Sequence, residues 1–280
     1  MSDFLSRMTA SSTERWAEAR EREEFPELWD RAIDTPDAPA LVLNGFDLIA
    51  ECKLASPSEG ALATVSPDDA LAHLMAQAQA YERAGAAAIS VLTEPTAFGG
   101  SLEHLAAIAD AVSVPVMRKD FLVADYQVVE ARAAGAGGVL LITRMLDDDD
   151  LFEMLDLTLD LGMFALVEAF DAADLARMHH VLLTRRLDLT QGTVLLGLNC
   201  RNLADLTIDA GRFAALRTSF PLGYSLVAES GMATAEDAAR VGGLGYNIAL
   251  VGSALMKSSD PAKLAGEMIA AGRKAFEALP

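Results

Sequence analysis

The stretch Ile49-Ala50-Glu51-Cys52-Lys53 is a short apolar run that ends in ionisable side chains. Charged side chains are rarely buried unless they are paired or functional, because an isolated charge loses its hydration there. Five further runs have the same form, and they close on Arg118-Lys119, Glu168, Asn199 with Arg201, Glu229-Ser230 and Gly252-Ser253. Polar groups placed repeatedly at the ends of apolar runs indicate one shared site.

From about residue 47 onward, short β-branched or aliphatic runs alternate with longer Ala-rich amphipathic stretches. The short runs predict eight strands, at residues 48–53, 87–93, 114–119, 138–143, 163–168, 194–199, 225–229 and 248–252. The longer stretches predict helices at residues 67–84, 102–112, 125–134, 147–161, 172–181, 209–218, 234–241 and 261–278. Regular alternation favours a parallel sheet, and eight units in about 230 residues fit a closed barrel better than an open sheet. We therefore expect an α/β protein of the (β/α)8 TIM barrel class, with its site at the C-terminal strand ends.

The N-terminal part of the chain does not follow this alternation. Residues 1–46, which contain Trp16 and Trp29, predict one or two added helices, and residues 47–280 predict the barrel. The added helices could cover either the floor of the barrel or its mouth. No linker or fixed long repeat other than the β/α unit divides the chain further.

The composition limits the classes of function. The formal charge of −19, from 22 basic and 41 acidic residues, argues against binding to nucleic acid but leaves room for a small anionic ligand. No apolar run approaches the roughly 20 residues of a membrane helix, and the first residues lack the basic and apolar pattern of a signal peptide. We expect a cytoplasmic protein that binds neither nucleic acid nor a membrane.

Neither the cysteines nor the histidines predict a disulfide or a metal site. Cys52 and Cys200 are the only cysteines, and they have no metal-ligand spacing. The four histidines fall in predicted helices, away from the strand ends: His73, His104, His179 and His180. The four aspartates at residues 147–150 begin a predicted helix, where acidic side chains stabilise the first turn. We expect no metal and no cofactor.

Two pairs of residues suggest acid–base chemistry. Side chains alternate along a strand, so Glu51 and Lys53 point to one side while Cys52 points to the other. Asn199 and Arg201 have the same spacing. An acid and an ammonium in a dry barrel mouth can shift each other's pKa enough for proton transfer near neutral pH. The alternative is a set of ion pairs that only satisfy one another.

The last two strand ends predict an anion site. Barrels often bind phosphate at the loops after strands seven and eight, where glycine lets backbone N–H groups approach the anion. Ser230-Gly231 and Gly252-Ser253 occupy these places, and we expect Gly252 on the solvent-facing rim. Phe98 and Phe121 follow strands two and three, where they either pack or form the walls for an aryl ring.

Six segments form a more specific pattern when they are taken together. They are Glu51-Cys-Lys53-Leu-Ala-Ser56-Pro57-Ser58, Ser90-Val-Leu-Thr-Glu with Phe98-Gly-Gly-Ser101, Arg118-Lys119-Asp120-Phe121, Leu166-Val-Glu168, Gly197-Leu-Asn199-Cys-Arg201-Asn-Leu203 and Glu229-Ser230-Gly231. In this order and spacing, from about residue 47 to residue 262, they resemble the indole-3-glycerol phosphate synthase family. The resemblance implies a tryptophan-pathway lyase that closes the pyrrole ring of 1-(2-carboxyphenylamino)-1-deoxyribulose 5-phosphate, with loss of CO₂ and water. It also admits association with other enzymes of that pathway.

The resemblance also implies roles for individual residues. Lys119 matches the general acid, Glu168 matches the residue given general-base or proton-relay work, and Glu229 belongs to the same catalytic set. By the same resemblance, Glu51 and Asn199 orient the substrate and the proton relay, and Lys53 and Arg201 contact the substrate carboxylate and its other charges. The implied phosphate-binding residues are Ser56, Ser230, Gly231, Gly252 and Ser253. The implied further substrate contacts are Phe98, Phe121 and Leu203.

Three alternatives stay open at this point. One is a related phosphate-binding barrel such as phosphoribosylanthranilate isomerase, which needs a cysteine and an aspartate at strand ends, whereas Cys52 faces away by alternation. Another is a paralogue that acts on a modified aryl substrate. The third is a non-catalytic barrel that binds an anionic metabolite, for which Lys119 and Glu168 together would be superfluous.

Overall fold

The computed structural model describes residues 3–56, 60–61, 66–184, 193–202 and 205–279. Its strands, in chain order, are β1 (Asp47–Cys52), β2 (Ala55–Ser56), β3 (Gly60–Ala61), β4 (Ala88–Leu92), β5 (Val116–Lys119), β6 (Gly138–Ile142), β7 (Phe164–Ala169), β8 (Val194–Asn199), β9 (Ser225–Glu229) and β10 (Ile248–Val251). Every strand predicted from the alternation is present, with ends that differ by at most two residues, and the predicted bounds 194–199 and 225–229 are met without difference.

Eight of these strands form one closed barrel in the order β1-β10-β9-β8-β7-β6-β5-β4. Closure is visible at β1, which pairs in parallel with β4 through Ile49 and Ala88 and with β10 through Asp47 and Ile248. The two short strands β2 and β3 form a separate antiparallel pair after β1. The predicted (β/α)8 barrel is therefore confirmed.

The helices in chain order are α1 (Asp3–Arg22), α2 (Phe25–Asp34), α3 (Pro67–Arg83), α4 (Pro95–Phe98), α5 (Leu102–Ala111), α6 (Asp125–Ala133), α7 (Asp148–Asp160), α8 (Ala172–Thr184), α9 (Gly211–Leu216), α10 (Ala235–Gly243), α11 (Ser253–Lys257) and α12 (Pro261–Glu277), with 3₁₀ turns at Thr143–Met145 and Arg217–Ser219. The short helix α4 was not predicted. Its first turn is capped by the Glu94 carboxylate, which accepts from the backbone N–H groups of Thr96 at 3.0 Å and Ala97 at 2.6 Å.

The predicted start of α7 is confirmed as a helix cap. The Asp147 side chain accepts from the N–H groups of Asp149 at 3.0 Å and Asp150 at 2.8 Å.

Among the residues described, no group of three His, Cys, Asp or Glu side chains is placed to hold a metal ion. No helix in the described ranges is both long and apolar enough to cross a membrane.

Side-chain alternation divides the core into two parts. Ile49, Met117 and Leu166 belong to the cluster that fills the barrel interior. Ala50 and Cys52, on the opposite face of β1, belong to the larger cluster between the strands and the helices. The alternation therefore turns Glu51 inward and Cys52 outward, as the sequence predicts.

The added helices lie against the barrel at two places. On α1, Leu5 and Met8 join the interior cluster that also contains Phe121 and Phe170. After α2, Thr35 and Pro36 accept hydrogen bonds from the buried Arg132 of α6 at 2.8 and 3.1 Å. The sequence leaves open whether the extension covers the floor or the mouth of the barrel, and α1 lies beside the mouth.

Candidate functional site

The C-terminal ends of the barrel strands open into a cavity of about 410 Å³. The predicted site residues that line it are Glu51, Lys53, Phe98, Lys119, Phe121, Glu168, Asn199, Arg201, Glu229, Ser230, Gly231, Gly252 and Ser253. Of the remaining two, Leu203 lies outside the described residues, and Ser56 is described only through its backbone in β2. The strand ends thus bring together side chains that are up to about 200 positions apart in the chain.

Lys119 lies between two carboxylates at the base of this cavity. Its Nζ is 3.6 Å from Glu168 Oε2 and 3.5 Å from Glu229 Oε2. The two glutamates are buried, and Lys119 retains 15% of its side-chain exposure toward the cavity. Asn199 Nδ2 donates to Glu168 Oε2 at 3.0 Å, which fixes the orientation of that carboxylate. The cluster combines a proton donor and a proton acceptor facing the same space.

Glu51 and Lys53 form a second pair beside it. Lys53 Nζ donates to Glu51 Oε1 at 2.6 Å, and both side chains are nearly buried. Gly252 packs against this pair, because a Cβ atom built on it would lie 2.3 Å from Glu51 Oε1. Gly252 is buried, so its predicted place on a solvent-facing rim is wrong. The close approach of the Glu51 carboxylate is what encloses it.

Burial and neighbouring charges shift the proton affinities of this cluster. Burial disfavours the ammonium form of Lys119, but the charges of Glu168, Glu229 and Glu51 outweigh it, so the pKa of Lys119 is raised. Burial and the charge of Glu168 raise the pKa of Glu229 well above 4.5. Burial opposes ionisation of Glu51, but Lys53 and Lys119 lower its pKa. Lys119 is therefore held as an ammonium, and Glu229 keeps its proton to a higher pH than an ordinary glutamic acid.

Glu229 Oε1 is a buried oxygen for which the described residues provide no hydrogen-bond partner. It lies against Gly197 of β8, where an added Cβ would be 2.1 Å from it. A glycine inside a strand often marks the close approach of another group. Sequence reasoning missed the pairing of Gly197 with Glu229, although the glycine within β8 was a usable signal.

The predicted anion site lies at the ends of β9 and β10. Ser230 and Gly231 both have positive φ, 65° and 81°, so the chain turns sharply directly after β9. A serine in this region is strained by roughly 1 kcal/mol or more, and such strain clusters at functional sites. Gly252 and Ser253 follow β10 and begin the short helix α11. Two backbone segments, each with two residues that carry N–H groups, therefore border one side of the cavity.

An aromatic wall borders the other side. The ring centroids of Phe98 and Phe121 lie 6.2 Å apart, and Phe4 of α1 meets Phe121 edge-on at 5.9 Å. Sequence reasoning missed Phe4, which sits in the N-terminal extension and follows no strand. It also missed the apolar lining residues Leu140, Ile142 and Phe170, because they look like ordinary core residues.

Arg201 lies at the edge of the cavity between these two sides. Its backbone N–H donates to Asn199 Oδ1 at 3.0 Å, and its guanidinium donates to the Leu206 carbonyl at 3.2 Å. The two-residue spacing of Asn199 and Arg201 thus places both on the cavity, with the asparagine amide joining Arg201 to Glu168.

Comparison with known proteins agrees with this architecture. The family model described as indole-3-glycerol phosphate synthase matches residues 7–268. An indole-3-glycerol phosphate synthase of Parafrankia sp. (strain EAN1pec) is 43% identical over 244 residues, which is 87% of this chain and 85% of that protein. One of Nocardioides sp. (strain ATCC BAA-499 / JS614) is 46% identical over 217 residues, 78% of this chain and 77% of that protein.

Solved structures with lower identity show the fold alone. The 3-hexulose-6-phosphate synthase from Salmonella typhimurium superposes with a TM-score of 0.63 at 13% identity and covers 82% of this chain and 100% of its own. The thiamine phosphate pyrophosphorylase from Pyrococcus furiosus gives 0.56 at 15% identity, covering 83% and 98%. The family match over nearly the whole chain, with relatives above 40% identity, goes further: the chain belongs to the indole-3-glycerol phosphate synthase family.

Proposed function

We propose that this protein is an indole-3-glycerol phosphate synthase, a carbon–carbon lyase of tryptophan biosynthesis. It converts 1-(2-carboxyphenylamino)-1-deoxyribulose 5-phosphate to indole-3-glycerol phosphate with loss of CO₂ and water. Residues 47–280 supply the catalytic barrel, and residues 1–46 supply an extension. The observation that carries the proposal is the position of Lys119, 3.5–3.6 Å from two buried glutamates, at the base of a cavity that is aromatic on one side and bordered by backbone turns on the other.

The cavity accommodates the three chemical parts of this substrate. The phosphate binds at Ser230-Gly231 and Gly252-Ser253, where backbone N–H groups are the donors that an anion needs in a protein with a charge of −19. The aryl ring lies against Phe98 and Phe121, and Phe4 extends that wall. Lys53 and Arg201 meet the carboxylate and the other charges between these ends.

Ring closure requires a proton at the carbonyl oxygen that leaves as water. Lys119 donates it while the ring carbon that bears the carboxylate attacks the carbonyl carbon, which gives a hydroxyl group and an iminium. The C–CO₂ bond then breaks, and its electron pair restores the aromatic ring and neutralises the iminium nitrogen. In the dehydration that follows, Glu168 takes the proton from the carbon beside the nitrogen, and Lys119, protonated again from solvent, gives a second proton to the hydroxyl group, which leaves as water. Asn199 holds the Glu168 carboxylate in place at 3.0 Å. The charges of Glu168 and Glu51 keep the ammonium charged before the reaction, and Glu229, whose pKa is raised, lies 3.5 Å from it.

The isomerase alternative requires a cysteine in the cavity, and neither cysteine of this chain lines it. Cys52 belongs to the outer core, its Sγ lies 4.0 Å from the Leu74 carbonyl, and burial raises the pKa of its thiol. The other cysteine, Cys200, is buried and does not line the cavity. Neither thiol is available as an acid or a base for a substrate bound there.

The direct test is formation of indole-3-glycerol phosphate by the purified chain, followed by product fluorescence. We expect turnover with the 2-carboxyphenylamino substrate and growth of a tryptophan auxotroph that carries the gene. Substrate binding without any product would favour a non-catalytic binding barrel. A strong preference for a ring-substituted substrate over the unsubstituted one would favour a paralogue with a modified aryl substrate.

A further inference from the structure

The residue after Lys119 joins three separate parts of the mouth. Asp120 is fully buried, and both of its oxygens are occupied. Its Oδ1 accepts from the Phe121 backbone N–H at 2.8 Å, and its Oδ2 accepts from Thr93 Oγ1 at 2.7 Å. Thr93 follows β4, and its own N–H donates to the Lys119 carbonyl at 3.1 Å. Asp120, which also borders the cavity, therefore shapes the corner between β5 and α6.

The third part is the N-terminal helix α1. Arg15 donates from Nη1 and Nη2 to the two oxygens of Asp120, each at 2.8 Å. Such a two-pronged contact between a guanidinium and a carboxylate is stronger and more directional than a single hydrogen bond. Burial disfavours the charged form of Asp120, but the contact with Arg15 and the charge of Arg118 lower its pKa to about 2. The contact is therefore ionic throughout the pH range in which an enzyme works.

The same helix reaches the cavity at its other end. Phe4 lies eleven residues before Arg15, which is about 16 Å along a helix, and its ring packs on Phe121 at 5.9 Å. Between them, Ser12 Oγ accepts from the buried Gln127 amide of α6 at 2.9 Å. Helix α1 is thus attached to the corner between β5 and α6 at its polar middle and at its aromatic end.

We propose that Arg15 is a positioning residue: through Asp120, it holds the corner that carries Lys119 in its working geometry. This inference rests on the proposed function. Lys119 is joined to Asp120 by a peptide bond, so movement of the corner moves the ammonium relative to Glu168 and the substrate. A misplacement of about 1 Å can reduce turnover by up to about 10²-fold.

The test compares Arg15→Met, Arg15→Lys and a matched control, Arg22→Met. Arg22 lies on the same helix and is exposed, and its Nε donates to the Glu18 carbonyl at 3.3 Å, within that helix. We expect Arg15→Met to lower kcat about tenfold at a temperature well below its unfolding midpoint. Arg15→Lys replaces the two-pronged guanidinium by a single ammonium, so its kcat should lie between that of Arg15→Met and that of the parent. The inhibition constant of inorganic phosphate, which reports on the opposite side of the cavity, should stay within about twofold of the parent.

Three results would overturn the inference while the proposed function stands. They are an unchanged kcat per folded molecule in Arg15→Met, an equal loss in Arg22→Met, and a kcat loss accompanied by weaker phosphate inhibition, which would indicate general damage to the mouth. If Arg15→Met does not fold, an unchanged kcat in Arg15→Lys contradicts the inference in the same way. An inactive parent would refute the proposed function and the inference with it.

Discussion

Two neighbouring residues at the end of β5 belong to clusters of opposite character. Asp120 makes hydrogen bonds of 2.7–2.8 Å that occupy both of its oxygens. Lys119 lies 3.5–3.6 Å from two carboxylates, and one oxygen of Glu229 has no partner among the described residues. Both clusters are charged and largely buried, but only the Asp120 carboxylate has both oxygens bonded, and in this sense its cluster is the saturated one.

The difference shows that two adjacent residues at one strand end can have different roles, one in stabilising the fold and the other in the reaction. A buried charge is tolerated in a fold when good hydrogen bonds satisfy it. A reacting group must instead retain capacity for the substrate and for a proton, so it is held by longer and fewer contacts. Here an unsatisfied carboxylate oxygen, that of Glu229, marks the reacting cluster, whereas both oxygens of Asp120 are bonded.

The largest expected effect belongs to the saturated cluster. Arg118 is 2% exposed, and it donates to the Gln127 carbonyl, to Glu130 and to Asp120. Arg118→Met takes the buried guanidinium away from all three acceptors and leaves Asp120 with Arg15 as its ionic partner, and we expect a loss of about 3–5 kcal/mol of unfolding free energy. Denaturant unfolding measures it, with the exposed Arg240→Met as the control, for which less than about 1 kcal/mol is expected. A loss below that limit in Arg118→Met would remove the distinction between the two clusters.

In the cluster around Lys119, a substitution should reduce turnover. Lys119→Met removes the proton donor, and we expect kcat to fall by at least about 10²-fold with a modest change in substrate affinity. Steady-state product fluorescence measures both. Lys263→Met is the matched control, because Lys263 is exposed and pairs only loosely with Glu267 at 3.8 Å. Parent-like turnover in Lys119→Met would exclude Lys119 from the mechanism.

A smaller effect tests how closely the second acid is packed. A methyl group at position 252 would lie 2.3 Å from Glu51 Oε1, so Gly252→Ala must displace the Glu51–Lys53 pair. We expect kcat/KM to fall about tenfold, which corresponds to about 1.4 kcal/mol. Gly243→Ala provides the control, since no described residue outside its own stretch of helix comes within 4 Å of the added methyl there. Equal activity in both variants would mean that Glu51 moves without consequence.

The smallest effect concerns pH. Because the pKa of Glu229 is raised in the folded protein, the folded state binds its proton more tightly than the unfolded state does. Stability from this group is thus complete below a pH of about 4.5 and is lost as the pH rises through the folded pKa. Glu229→Gln should therefore raise the unfolding midpoint at pH 8 by roughly 2–4 °C.

The same variant should give no such gain near pH 4, and it should lower kcat. Thermal unfolding at the two pH values, beside the parent, measures the difference. A midpoint that rises equally at both pH values would show that the gain does not come from the titration of Glu229.

Many features of this protein depend on residues that are close together in the chain, so they can be inferred from the amino-acid sequence. Alternation along residues 49–53 is a property of consecutive residues, so it predicts β1, the inward side chain of Glu51 and the outward one of Cys52. The regular repeat of strands and helices predicts the barrel, and closure of the barrel brings the strand ends together. That is why Lys119, Glu168 and Asn199 could be assigned to one site.

Other features depend on contacts between distant residues. The contact of Arg15 with Asp120 spans 105 positions, and no pattern within α1 indicates whether that helix covers the mouth or the floor. The place of Phe4 in the aromatic wall, the enclosure of Gly252 by Glu51 and the unpaired oxygen of Glu229 beside Gly197 have the same origin. Periodicity acts between neighbours in the chain, so the amino-acid sequence is enough to assign the polar side chains of the strand ends to the barrel mouth. How closely those side chains meet follows from packing between separate elements, so the distances appear only in the folded protein.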